Sequence, residues 1–525
     1  MTTPRRPPEI RASRRTPSLG CVQTPTASAP ERHRALVPVL VGVTMVTGVI
    51  SSLGAPLIPS VASALHISLD SAQWSLTAAL LSAAVAAPIM GRLGDGPRRR
   101  QTIIGGLAIV FAGSIVAGLA QSLPVLVVGR AMQGVGLGLA PVTMAAARDH
   151  LPPERAGAVI GMLSVAGAAA VGAGYPVSGL IASDLDVHAA FFFGAVISGA
   201  ALLAALAVIP ASSSSLVARL DVRGGVVIAA GLIALLLAIS QGQQWGWDSA
   251  SIVALFVAAA VILGLWVRMQ LAHDAPLVDL RQLRHRAVLT ADLAAVVLGV
   301  AMYMFLTIVT EFVQEPRTLS YGIGASTLVA GLCLVPFSVM SLLASRTTAW
   351  FTRRLSANTV LVCGSLVIAA AGVFFALLHG ALWEAFVTMG VVGVGFGYTF
   401  AAIPGLIARA VPDSETGSAM GLYQVIRYIG FSLGSALVAS ILAGNTLDGR
   451  VGEHGYVTAL WVGTAACAIS AGASWLLSRR RETPSPLAMA AGERERIALE
   501  EAELASAGLV GIEGERAARS PSRDV

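Results

Sequence analysis

Leu151 to Met162 reads LPPERAGAVIGM, and Val411 to Leu422 reads VPDSETGSAMGL. Pro152 aligns with Pro412, Gly157 with Gly417 and Gly161 with Gly421, each pair 260 positions apart. Just upstream, GVGLG at 134–138 has its counterpart in GVGFG at 393–397. A repeat this long divides a chain into two copies of one architecture, a construction common among membrane transporters. Working outward from the two copies, fourteen apolar runs occupy 35–57, 72–90, 102–120, 123–146, 157–182, 188–210, 224–241, 251–270, 287–310, 324–345, 358–378, 383–408, 417–443 and 457–477. A helix of about 20 apolar residues crosses a hydrocarbon core of about 30 Å, so each run reads as one span. The first six runs correspond to the last six, while 224–241 and 251–270 have no counterpart. An even-numbered insertion leaves the second copy with the sidedness of the first. The expected fold is therefore an all-α polytopic membrane protein of two six-helix bundles with two inserted central helices. Its expected segments are a disordered cytoplasmic tail at 1–34, a bundle at 35–210, a linker with two extra helices at 211–286, a bundle at 287–477 and a cytoplasmic tail at 478–525.

Composition agrees that lipid is the solvent. Of 525 residues, 55% are hydrophobic and 12% charged, whereas a soluble domain carries about 25% charge. The basic residues are all Arg, with no Lys, which reads as a GC-rich bacterial coding bias. Sixteen Arg fall in the loops of one side (92, 98, 99, 100, 148, 155, 219, 223, 268, 281, 284, 286, 346, 353, 354, 409) and only Arg317 and Arg450 in those of the other. Cytoplasmic loops accumulate Arg and Lys, so this asymmetry, with further Arg in both tails, predicts a bacterial inner-membrane protein with both termini in the cytoplasm. The net charge of +6 thus reports topology, and no nucleic-acid partner is expected. The first apolar run follows about 34 polar residues, too many for a cleaved signal. Cys21, Cys333, Cys363 and Cys467 show neither paired nor metal-ligand spacing. The stretch ERERIALEEAELASA, 493–507, has helical composition without an assigned role.

Between the second and third runs lies GRLGDGPRRR, Gly91 to Arg100. Gly91 and Gly94 allow close approach of helix ends, and Asp95 with Arg98, Arg99 and Arg100 can pair or cap helix termini. A basic positive-inside turn with an incidental Asp is the plainer alternative. In the fourth run, Arg130 precedes Gln133 and Gly134 about seven residues into the membrane. A charge at that depth costs at least about 2.5 to 3.5 kcal/mol unless a cavity or partner receives it, so placement for function is expected over outward snorkelling. Arg427 in the thirteenth run repeats this argument. The fifth run carries Gly174, Pro176 and Gly179 among alanines, a surface suited to close helix contact or bending, though small residues also serve generic packing. Asp292 lies near the start of the ninth run, where a carboxylate can simply complement the helix N-terminus. Glu311, Glu384, His188 and His379 fall at outer helix ends and are expected to be solvated. Neither a Walker loop, a zinc-ligand cluster, a nucleophile elbow nor a dinucleotide fingerprint is present, so neither an enzyme nor a cofactor is expected.

Over about residues 35–477 the chain resembles the major facilitator superfamily, specifically its fourteen-span drug:proton antiporter branch. GRLGDGPRRR is similar to the loop motif G-x-L-x-D-R-x-G-R-R, with Gly91, Leu93, Asp95 and Arg99 matching. VVGRAMQGVGLG is similar to the span-four motif R-x-x-Q-G through Arg130, Gln133 and Gly134. Gln73-Trp74 with Thr77, and PLVDLRQLRHR at 276–286, add local similarity, the latter to the fourteen-span branch. AWFTRRLSAN at 349–358 looks like a degenerate second copy of the loop motif, with Thr352 near the Asp position. GYPVSGL at 174–180 stands where the antiporter motif reads G-P-x-x-G-G, and the first span, GVISSLGAPLIPS at 48–60, has no carboxylate.

The resemblance implies a functional monomer that exports small amphipathic, drug-like molecules by alternating access and proton antiport. Asp95 with Arg98 to Arg100 would latch the outward-facing state, and the Gly-Pro surface of span five would seal the bundle interface. Arg130, Gln133, Gly134, Asp292 and Arg427 would line the cavity or couple protons, with Asp292 the leading carrier by elimination. An uptake symporter of the same fold, or a non-transporting receptor or scaffold, are the competing expectations.

Overall fold

The computed structural model describes residues 29–53, 57–211, 221–273, 276–284, 286–319, 321–412, 415–447 and 450–479. The tail beyond 479, with its 493–507 stretch, and residues 1–28 of the other tail, with Cys21, lie outside them. Seventeen helices follow in chain order: α1 Ala29–Ser52, α2 Ile58–Leu65, α3 Leu69–Gly94, α4 Arg99–Gly118, α5 Leu123–Val135, α6 Leu139–His150, α7 Pro153–Asp184, α8 Val187–Val208, α9 Val222–Trp245, α10 Ala250–Ala272, α11 Arg286–Phe312, α12 Thr327–Leu332, α13 Leu334–Arg354, α14 Ala357–Leu377, α15 Leu382–Ala410, α16 Thr416–Gly444 and α17 Glu453–Arg479. A two-residue antiparallel pair, Thr446–Leu447 with Arg450–Val451, joins the last two. The first helix begins at Ala29, ahead of the expected 35.

Fourteen of these segments are long and apolar enough to cross a membrane, α5 and α6 forming one span through a 3-10 turn at Gly136–Gly138. Helices are the form that satisfies backbone polar groups within hydrocarbon, and their ends need local partners. Those partners are read directly from sequence: Ser68, Asp186, Asp221, Ser249, Ser326 and Ser356 each accept a bond from a backbone N–H three residues on, as N-caps do. Outward surfaces are apolar, for example Val253, Val257, Val261 and Leu265 along α10.

Helices α1–α8 form one bundle and α11–α17 the other. They meet along two seams related by the internal repeat, α3 with α16 and α7 with α13 and α15. The inserted hairpin α9–α10 lies over the first seam. Ala83 and Ala87 of α3, Ile228 and Leu232 of α9, Trp266 of α10 and Val425 and Tyr428 of α16 share one apolar cluster there. Gln270 anchors the hairpin's exit, donating to Asp221 at 2.8 Å and accepting from the Leu277 backbone N–H at 2.6 Å.

Candidate functional site

At the arginine-rich face, the loop after α3 reaches across the first seam. Asp95 is 2% exposed. Its carboxylate accepts from the backbone N–H of Gly417 at 2.6 Å and of Ser418 at 3.0 Å, capping the first turn of α16. A helix start offers unpaired N–H groups and partial positive charge, so an Asp suits it. The approach requires glycine: a Cβ on Gly91 would sit 2.4 Å from the Gly417 carbonyl oxygen. Burial pushes the Asp95 carboxyl up to about 7, against the lowering pull of the Gly417 and Ser418 bonds and of Arg92.

The arginines around this loop separate. Arg92 is the cation beside Asp95, at 3.9 Å. Arg99 instead pairs with Asp149 at 2.6 Å and donates to the Gly94 carbonyl, tying the loop to the end of α6. Arg100 donates to the Leu206 carbonyl at 2.9 Å, and Arg98 is exposed. Of the two expected roles, capping is the one Asp95 takes, while Arg99 and Arg100 meet partners on different elements and do not act as one group with it. Reading the sequence also missed Arg148, which crosses the seam to Thr416 Oγ1 at 2.8 Å and the Val411 carbonyl at 3.2 Å. Its position beside the repeated Pro-Gly stretch was the available signal.

Arg130 is 1% exposed and lies inside the first bundle. Its guanidinium donates to the carbonyls of Ser75 and Ile50, each at 3.3 Å, and to Gln133 Oε1 at 2.6 Å. Gln133 donates onward to Ser114 Oγ at 2.9 Å, and the Phe191 ring lies 5.9 Å from the guanidinium. Gly134 sits so close to α3 that a Cβ would lie 2.1 Å from the Ala79 carbonyl oxygen. The Arg-x-x-Gln-Gly motif therefore knits α1, α3, α4, α5 and α8 together around a permanent cation.

Arg427 occupies the bundle interface. It donates to Ser164 Oγ of α7 at 3.3 Å and to Tyr423 Oη at 3.5 Å. The rings of Phe400, Tyr423, Tyr428 and Phe431 surround its guanidinium at 5.4, 5.4, 5.9 and 5.7 Å, a cage whose ring faces attract a cation. Tyr428 donates across the interface to the Leu137 carbonyl at 3.3 Å, and Tyr303 lies against Phe431 with centroids 6.4 Å apart.

Asp292 is the seventh residue of α11 and 4% exposed, with Oδ1 lacking a hydrogen-bond partner among the described residues. It joins neither Arg130 nor Arg427 in a described contact. Gly174 packs on Ser52 and Val49 of α1 inside its own bundle, while Pro176 meets Gly331 across the second seam. The surroundings of Gly179 lie outside the described residues. Glu384 is buried and accepts from the Ala381 N–H at 2.8 Å, a correction to its expected solvation that follows from its place in the first turn of α15. His379 likewise is not simply hydrated, lying edge-on to Phe312 and 2.8 Å from Glu453.

A family model described as Major Facilitator Superfamily matches residues 40–435. The uncharacterized MFS-type transporter Rv1877 of Mycobacterium tuberculosis is 28% identical over 439 residues; these are 81% of this chain and 61% of that protein, so the chain spans about three fifths of that relative. The tetracenomycin C resistance and export protein of Streptomyces glaucescens is 28% identical over 82% of this chain and 79% of its own. Among solved structures, the human organic anion transporter MFSD10 superposes with a TM-score of 0.58 at 15% identity, covering 85% of this chain and 99% of that one.

Proposed function

Because the chain belongs to the major facilitator superfamily, we propose that this transporter is a bacterial inner-membrane exporter that drives small amphipathic molecules outward by proton antiport. The observation that carries alternating access is the Asp95 cap on α16, two directional bonds that join the two bundles at the arginine-rich face. The arginine-rich face is read as cytoplasmic, which puts both termini in the cytoplasm. Two bundles that separate at that face expose their interface to the cytoplasm, and closing it returns the interface to the other side. Export is supported by the name of the Streptomyces relative.

The aromatic cage around Arg427 suits an amphipathic substrate, because ring faces stack on flat apolar bodies while the guanidinium and tyrosine hydroxyls bind polar edges. Asp292 is the residue proposed to carry the proton, being a buried carboxylate with an oxygen left unpartnered. No other cofactor is proposed, and the single chain is the proposed working unit.

Reconstituted, inside-out vesicles acidified in the lumen provide the test. Accumulation of an amphipathic dye that stops when the pH gradient is collapsed is the expected result. Dye movement in the opposite direction with the gradient would establish an uptake symporter, and no gradient-dependent flux across a broad compound panel would overturn the proposal.

A further inference from the structure

The two seams are unequal. On the α3–α16 seam the hairpin α9–α10 covers the outside, Gly91 and Gly417 are in contact, and Asp95 caps α16. On the repeat-related α7–α13 seam, the degenerate copy AWFTRRLSAN has no carboxylate, with Thr352 near the position of the Asp. Gly157, the counterpart of Gly417, has nothing within 4 Å of where a Cβ would point. A cavity of about 600 Å³ opens there at the arginine-rich face. Gly157 and Gly161 of α7, Thr348 and Thr352 of α13, and the two cations Arg148 and Arg409 are on its wall.

The cations differ as the seams do. Arg148 reaches Thr416 and Val411. Arg409, near the corresponding helix end of the second copy, lines the cavity together with Ala156, the repeat-related residue of Thr416; it is exposed and makes no hydrogen bond or ion pair among the described residues. Among the described side chains, the carboxylates at these helix ends are committed elsewhere, Asp149 to Arg99 and Glu415 to Gln282. The depth of the cavity is marked on α13, which carries Thr348 and Thr352: Trp350, 51% exposed, stacks under the Arg354 guanidinium at 4.4 Å. Tryptophan and arginine together at a span's end mark the headgroup layer of a bilayer.

We infer that this cavity binds the headgroup of an anionic phospholipid, whose phosphate pairs with Arg409 and Arg148 and supplies the negative charge that Thr352 does not. Cationic pockets between spans at headgroup depth recognise anionic lipid in this way. The uncovered seam leaves the lipid a lateral path from the bilayer, and the small side chains of α7 leave room for the start of its acyl chains. The inference is independent of transport direction and of proton coupling.

Native mass spectrometry of the full chain, delipidated and then titrated with phosphatidylglycerol or phosphatidylcholine, tests it. The expected result is about tenfold tighter retention of phosphatidylglycerol, matching loss of a charge-assisted contact when the pair is broken. Arg409→Ala reduces that retention to the phosphatidylcholine level. Thr352→Asp, which supplies the carboxylate internally, does the same without removing a cation, so a folding defect in either variant leaves the other decisive. Equal retention of the two lipids, or retention unchanged in both variants, overturns the inference. Full competition by millimolar inorganic phosphate would overturn the lipid as source and assign the cavity to a soluble anion.

Discussion

Asp95 Oδ1 accepts the Gly417 backbone N–H at 2.6 Å, so one carboxylate of the first bundle caps a helix of the second. The bond is made from 2% exposed surroundings, and its balance of desolvation against helix-end attraction sets how closure responds to pH. Burial is the larger influence and raises the carboxyl to about 7, whereas an Asp open to water titrates near about 4. Between about pH 4 and about 7 the closed conformer therefore binds a proton that the open one releases, and above that range the cap is a carboxylate. The contribution of this proton to closure is complete below the ordinary carboxylate range and is lost as pH rises through about 7. Spin labels on Pro97 and Arg286, one in each bundle, should report a shorter distance at low pH than at high pH. Asp95→Asn cannot titrate, so its distance distribution should not move. A pH response that persists in the Asn chain would remove Asp95 as its source.

The same seam depends on two glycines that meet back to back. A Cβ on Gly91 would sit 2.4 Å from the Gly417 oxygen, and one on Gly417 would sit 2.3 Å from the Gly91 oxygen. Both clashes are with backbone, so neither helix can relieve them by moving a side chain. Overpacking of this kind costs about 1–3 kcal/mol, so Gly91→Ala or Gly417→Ala should lower flux about tenfold at equal membrane expression. Gly157→Ala, at the repeat-related position with open space, should leave flux near that of the unaltered chain. Equal losses in all three would mean that the seam contact is not what limits transport.

Arg130 makes a prediction about stability that separates packing from charge. Its side chain is among the largest of those fully buried and bridges three helices through Ser75, Ile50 and Gln133. Arg130→Ala leaves a void and deprives Gln133 Oε1 of its donor, a loss of about 2–5 kcal/mol for a large buried side chain. Lys restores the charge but not the planar fork. Melting in detergent should therefore fall most for Ala and by a smaller amount for Lys. If Lys melts as the unaltered chain does, the bridging geometry is not what the cation supplies.

The fold was readable because hydrocarbon is an exacting solvent: every span must be long, apolar and helical, and the repeated LPPERAGAVIGM and VPDSETGSAMGL stretches fix how the spans correspond. The depth of Arg130 and Arg427 was likewise readable, since a charge inside a membrane must find partners. Which partners was not. Arg99 meets Asp149, Arg148 meets Thr416 and Asp95 meets Gly417 through contacts between chain segments from about 50 to more than 300 residues apart, and adjacency in GRLGDGPRRR says nothing about such pairings. The helix-start role of Glu384 was missed for a different reason: a short polar segment at an outer helix end is also what a solvated residue looks like.

Asp292 carries the last prediction. In α11 it lies seven residues, two helical turns, before Gly299, where that helix packs directly on Arg427's backbone. Buried carboxylates usually have all their oxygens engaged, and Oδ1 of Asp292 is an exception among the described residues. A buried oxygen without a protein donor is suited to taking a proton from one side of the membrane and releasing it to the other. Asp292→Asn keeps size and shape while removing titration. It should abolish dye accumulation driven by a pH gradient, yet leave dye binding to the purified protein, read by fluorescence anisotropy, unchanged. Asp292→Glu should restore part of the gradient-driven flux, because a carboxylate returns with one extra methylene of misplacement. Loss of binding together with flux in the Asn chain would make Asp292 a structural or substrate-contacting residue, and undiminished flux would place the proton on another group.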